Sequence, residues 1–239
     1  MSGIVITAIV TGAIAIAGGG LLLWRLSKPG ERDVLVIAAI LMIPLQPLAF
    51  YFVRLPIDGV VRQALGEGPA YAFAATFYAP LTEEPAKWLV LLIPAVLKAL
   101  TPVRAVPIAL ATGLGFGLGE IGFLAEQIAG IPGLADLPAG EFGGFVLERL
   151  LVCFVHGAML LFAFRWFAEG QPFWKGASVG VVAHYLLNFP IYVAGLDILP
   201  ISPDIWQAAI TVYLIVFTLL FAAVVNHMVV GPRPPRGGG

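Results

Sequence analysis

Charge is what this chain has least of. Asp, Glu, Lys and Arg make up 11% of its 239 residues, against 60% hydrophobic residues, and its mean hydropathy is +0.97. A soluble domain carries about 25% charged residues, so a water-soluble fold is excluded. A formal net charge of −1 leaves no electrostatic footprint for nucleic acid as a partner. Cys153 is the single cysteine, so no intrachain disulfide can form and the redox compartment cannot be read from it. Lys and Arg are absent ahead of the first apolar run, Ile4 to Trp24, where a cleaved signal peptide carries its basic segment. That run reads as a retained first span. No internal repeat of the transporter kind is evident.

What is present is apolar length. Runs of about twenty such residues set the membrane crossings, and the fold class is an all-α polytopic transmembrane bundle. Spans are expected over about 4–24, 34–53, 69–97, 105–129, 143–167, 174–195 and 205–230, with a kink at Pro44 and Pro47. Residues 54–68 mix charge with apolar positions and suggest a short helix on the membrane surface. Pro80 and Pro85 are expected to break or bend the third span, and a full break would raise the count from seven to eight. Residues 1–230 then form one integral membrane domain, and the Pro/Gly-rich tail 231–239 is expected to be disordered.

Lys and Arg gather in the connections 25–32, 98–104 and 165–175 and in the tail, whereas 130–142 and 196–204 hold only acids. Seven crossings put all basic connections on one side. By the positive-inside rule this predicts an N-terminus outside and a C-terminus in the cytosol, and the plasma membrane is the expected location.

Against this background the stretch LTEEPAKWLVLL, Leu81 to Leu92, stands out. A charge at bilayer depth costs at least ~2.5–3.5 kcal/mol, yet Glu83, Glu84 and Lys87 sit together there. Glu83 and Lys87 are spaced i, i+4 and can pair on one helical face. Glu84, turned about 100° away, is then left without a partner in its own helix. Glu120, His156 and His184 fall near the midpoints of three further spans, and Asn188 lies one turn beyond His184. Ionisable groups in a membrane face the bundle interior or a wet cavity, so one buried polar centre is expected. Glycines 113, 115, 117 and 119 form two overlapping GxxxG registers that would let helices close in around Glu120. Arg149 shares a face with His156, two turns away. It nevertheless reads with Glu126 and Glu148 as interfacial, and Asn226 and His227 read as surface groups.

Four motifs occur in order: Glu83-Glu84-Pro85-Ala86-Lys87 as Glu-Glu-x-x-Lys, Phe116 to Glu120 as Phe-x-x-x-Glu, His156, and His184 to Asn188 as His-x-x-x-Asn. Together they resemble the PrsW family of intramembrane proteases, relatives of the CAAX-processing proteases and bacterial Abi proteins. The resemblance covers roughly residues 80–190, within a motif-bearing core of about 69–195. It implies a CAAX-protease-like core and hydrolysis of a peptide bond in a membrane-anchored protein substrate, in contact with the lipid bilayer.

Such hydrolysis needs an activated water, a stabilised oxyanion and a proton for the leaving amine. Glu84 is the expected general base, with Glu83 held by Lys87, and Asn188 or Lys87 donating to the oxyanion. Two arrangements stay open. His156, His184 and Glu120 could form a His₂Glu site for Zn²⁺ with water in the fourth position. Alternatively, Glu84 and His184 could activate water directly, as proposed for the CAAX relatives. Two other classes fit a midplane polar centre: a non-catalytic membrane scaffold, and a proton- or ion-coupled transporter.

Overall fold

The structure is a computed structural model that describes residues 1–196 and 199–230. The tail expected to be disordered therefore lies outside the described residues. Among the described residues the chain is helical, with no strand. Six of its helical segments are long and apolar enough to cross a membrane: Gly3–Leu26, Pro29–Leu65, Ala105–Ala129, Ala139–Ala168, Phe173–Gly195 and Pro203–Val230.

Helix α1 (Gly3–Leu26) leads through a short turn into α2 (Arg32–Met42). The chain then continues as α3 (Leu45–Ala49), a π-helical turn Phe50–Arg54, and α4 (Leu55–Leu65). The expected short helix after residue 54 exists, but it is the continuation of the preceding helix and not a separate element. No residue of α4 is buried. It is tied to α5 (Pro69–Trp88) by polar contacts: the Tyr71 and Tyr78 hydroxyls both donate to Asp58, and Arg62 donates to the Tyr71 hydroxyl at 3.0 Å.

Of the two outcomes expected at Pro80 and Pro85, a break or a bend, the break does not occur: helix α5 runs through both prolines to Trp88. Each proline removes one donor from the ladder, leaving the carbonyls four residues earlier, Thr76 and Leu81, without a helical partner. The interruption comes later. A tight turn over Leu89–Leu92 is followed by α6 (Pro94–Ala99), which starts at Pro94, where a proline suits a first turn. Residues 69–97 are thus a twenty-residue helix plus a short one, and α5 is not among the six long apolar segments.

Helices α7 (Ala105–Ala129), α8 (Gly143–Ala168), α9 (Phe173–Gly195) and α10 (Pro203–Val230) complete the bundle. Seventeen of the 25 residues of α7 are buried, so it is the central rod. Its two glycine registers serve two neighbours. A Cβ on Gly113 would stand 1.9 Å from the Gly157 nitrogen of α8, and one on Gly117 would stand 2.6 Å from Cys153 Sγ. On the other face, a Cβ on Gly115 would meet the Ala39 carbonyl oxygen of α2 at 1.9 Å, and one on Gly119 the Ile43 carbonyl oxygen at 2.0 Å. Both approaches require a residue without a side chain. Helix α9 seats on α8 in the same way, through Gly176 against Phe162 and Gly180 against Met159.

The outer faces stay apolar. Ile9, Ile16, Leu21, Val212, Leu219 and Leu220 are all exposed, which suits lipid and not water as the surrounding solvent. Basic connections gather at one end of the bundle. Arg104 Nε pairs with Glu31 at 2.9 Å, Arg165 donates to the Pro102 carbonyl at 3.1 Å, and Leu26, Val103, Trp166 and His227 line one cleft. At the opposite end the Thr7 hydroxyl lies 3.2 Å from the Ala139 carbonyl oxygen.

Candidate active site

Helices α5, α7, α8 and α9 each bring ionisable side chains to the same depth in the bundle. The fixed point is Glu84, fully buried on α5. Its Oε1 accepts from Lys87 Nζ at 2.5 Å and contacts His184 Nδ1 at 2.7 Å. Its Oε2 is buried with no hydrogen-bond partner among the described residues. Lys87, also fully buried, reaches across to His156 Nδ1 at 2.9 Å. The other nitrogen of that ring, Nε2, lies 2.9 Å from Glu120 Oε2. Phe116, one turn before Glu120, packs edge-on against the His156 ring at 5.2 Å. It also lies 5.1 Å from the Lys87 ammonium, a cation–π distance.

Glu83 belongs to a different partner set. Arg54, at the end of the π-helical turn, pairs with Glu83 Oε1 at 3.1 Å. Glu83 Oε2 faces His184 Nε2 at 3.7 Å. The expected pairing is therefore reversed: Lys87 holds Glu84 and not Glu83, and Glu84 is not the unpaired acid. Spacings of three and four both bring side chains onto one helical face, and the tertiary environment decided between them. His184 and His156 approach the Glu84–Lys87 side, while Arg54 occupies the side of Glu83.

Arg149 is a second correction. It is not interfacial but buried, at 7% exposure, and its Nη1 lies 2.9 Å from Glu120 Oε1. It also pairs with the more exposed Glu148. The spacing of seven from His156 already carried that signal. Arg54 carried none, because its position depends on the helix running on beyond residue 49. The centre is balanced: Glu83, Glu84 and Glu120 each have one cation, respectively Arg54, Lys87 and Arg149. Pairing offsets part of the cost of burying these charges, although Glu84 Oε2 and Arg149 Nε and Nη1 have no hydrogen-bond partner among the described residues.

The contacts also fix the two imidazoles. An ammonium has donors and no lone pair, so His156 Nδ1 accepts from Lys87 and its Nε2–H donates to Glu120. A carboxylate only accepts, so His184 Nδ1–H donates to Glu84, and in the neutral ring Nε2 is the nitrogen with the lone pair. The buried Glu84–Lys87 pair thus engages Nδ1 of both histidines, as acceptor in His156 and as donor in His184. Orientation of an imidazole through its second nitrogen is a general device of functional sites.

A cavity of about 460 Å³ lies against this centre. Glu83, Glu120, Arg149, His156, His184 and Asn188 all line it, whereas Glu84 and Lys87 stand behind its wall. Leu124, Ile128, Phe145, Leu187, Ile191 and Ile210 form its apolar outer walls. These residues come from the bundle half away from the basic connections.

The three side chains read as zinc ligands do not present a common point in this arrangement. Both ring nitrogens of His156 are engaged by protein groups, His184 Nδ1 is engaged by Glu84, and Glu120 is shared between His156 and Arg149. Among the described residues no three His, Cys, Asp or Glu side chains group as metal ligands. Of the remaining polar residues, His227 lies at the basic end, in the cleft with Val103 and Trp166. Compared with protein-family models, curated proteins and solved structures, the chain matches none.

Proposed function

We propose that this protein is an intramembrane protease, hydrolysing a peptide bond of a membrane-anchored protein substrate by a glutamate–histidine mechanism. One observation carries the reading: Glu83 Oε2 and His184 Nε2 face each other at 3.7 Å on the wall of a cavity whose outer surface is apolar. That separation is too long for a direct hydrogen bond and suits a water held by both groups. The order of the four motifs, resembling PrsW-like and CAAX-processing proteases, supports the same reading. The general base is Glu83 and not Glu84, because Glu84 is spent on Lys87 and His184 behind the wall.

In the reaction, the water oxygen bonds to the scissile carbonyl carbon and its proton passes to Glu83. Arg54 holds that carboxylate in place, and the His184 lone pair orients the water. The Asn188 amide, one turn from His184 on the same wall, donates to the developing oxyanion. The carbon–nitrogen bond then breaks, and Glu83 returns the proton to the departing amine. The apolar walls take the side chains of a membrane-spanning segment. The basic end faces the cytosol in this reading, so the cavity opens toward the other face.

A transporter is less well supported. The hydrogen-bonded series from His184 through Glu84, Lys87 and His156 to Glu120 begins and ends on the same cavity, so it offers no path from one face to the other. The test is cleavage of co-expressed single-span proteins. Glu83→Gln is expected to lower turnover about 10²–10⁴-fold, the range for loss of a general base, with insertion and folding retained. Full activity in that variant refutes the assignment.

A further inference from the structure

At the basic end a second cavity, of about 370 Å³, opens between the end of α1 and the turn that precedes α7. Arg25, Lys28 and Arg104 line it together with the hydroxyl residues Ser27 and Thr101, over an apolar sill of Leu26, Val103 and Pro107. One carboxylate, Glu31, lies in the same cleft. It is already committed to Arg104 Nε at 2.9 Å and to the Lys28 backbone N–H at 3.1 Å. Three cations against one carboxylate leave the cleft positive. The side chains of Arg25 and Lys28 have no carboxylate within ion-pair distance among the described residues, whereas Arg104 and Arg165 at this end have theirs.

Depth supplies the second half of the argument. The cleft begins where the 24-residue apolar helix α1 ends, so its cations stand where a bilayer passes from hydrocarbon to headgroup. Trp24, exposed at the same level, carries Arg32 over its ring at 3.1 Å and marks an interfacial belt. Basic pockets between helices on the cytoplasmic side hold anionic headgroups. The apolar sill beside the cations offers a surface to the first methylenes of an acyl chain.

We propose that this cleft binds a phosphate-bearing anion, with Arg25 and Lys28 as its principal contacts and Arg104 completing the ring. The shared chemistry is a phosphate monoanion or diester, from an anionic phospholipid or from a free phosphate. The site is independent of the proposed proteolysis, being at the basic end and away from Glu83.

The experiment is thermal unfolding of the full chain in a neutral detergent. It is titrated separately with phosphatidylglycerol, phosphatidylcholine and inorganic phosphate. Phosphatidylglycerol is expected to raise the midpoint saturably, while phosphatidylcholine does not. Arg25→Gln/Lys28→Gln, at two exposed positions, is expected to raise the half-saturating concentration roughly thirtyfold. Lys98→Gln/Lys175→Gln removes the same charge outside the cleft and is expected to leave it unchanged. A response to inorganic phosphate alone that depends on Arg25 and Lys28 assigns the site to a free anion. A response lost equally in both double variants overturns the proposal in favour of diffuse attraction, and no anion response at all overturns it outright.

Discussion

Replacing Lys87 by methionine tests the centre of this structure most directly. Methionine keeps the length and apolar stem of the side chain and removes only the ammonium. Lys87 and Glu84 are both fully buried, with 2.5 Å between Nζ and Oε1. Removing one partner of a buried pair leaves an uncompensated charge and costs about 3–5 kcal/mol. Here Glu84 would keep only His184. Glu84→Gln in the same background removes that stranded charge. The double variant Lys87→Met/Glu84→Gln is therefore expected to be more stable than the sum of the single losses, with a coupling of about 2–3 kcal/mol. The measurement is reversible unfolding in mixed micelles, followed by the fluorescence of the five tryptophans. Strictly additive losses, or a cost below about 1 kcal/mol for Lys87→Met, would refute the account of Glu84 as an acid held by Lys87.

The glycine seams make a paired prediction. Gly115→Ala places a Cβ 1.9 Å from a backbone oxygen and is expected to cost about 1–3 kcal/mol or more. Gly122→Ala has nothing within 4 Å and should gain up to about 1 kcal/mol from helix propensity; equal effects would argue against the close α2–α7 contact. Asp58→Asn should loosen α4 from α5, seen as faster amide exchange over residues 55–65 with α7 unchanged; uniform exchange across both would count against a polar tether. Because both His156 nitrogens and His184 Nδ1 are engaged by protein groups, a chelator is expected to leave cleavage unaltered. Loss of cleavage that zinc restores would move the mechanism to a metal-assisted one.

Several features were legible in the residues alone. The ends of α7, α8, α9 and α10 fall within two residues of the apolar runs that predict them, because a helix in lipid must satisfy its own backbone and spans a fixed thickness. The shared depth of Glu83, Glu120, His156 and His184 follows from counting along those spans. The overlapping glycine registers pointed to close packing, although not to two different partners. The course of residues 44–65 was harder to read. The π-helical turn keeps one helix going, and that alone delivers Arg54 to Glu83, 29 positions away in the chain.

The sequence by itself determined an apolar helical bundle with acids, imidazoles and a lysine stranded at one level inside it. Hydrophobic length and position along a helix are local quantities, and they survive without knowledge of neighbours. Tertiary structure alone decided which cation holds which acid, and so which glutamate faces the cavity and which is locked behind it. Two adjacent carboxylates are chemically alike, and only the groups approaching from α8, α9 and the turn before α4 make them different.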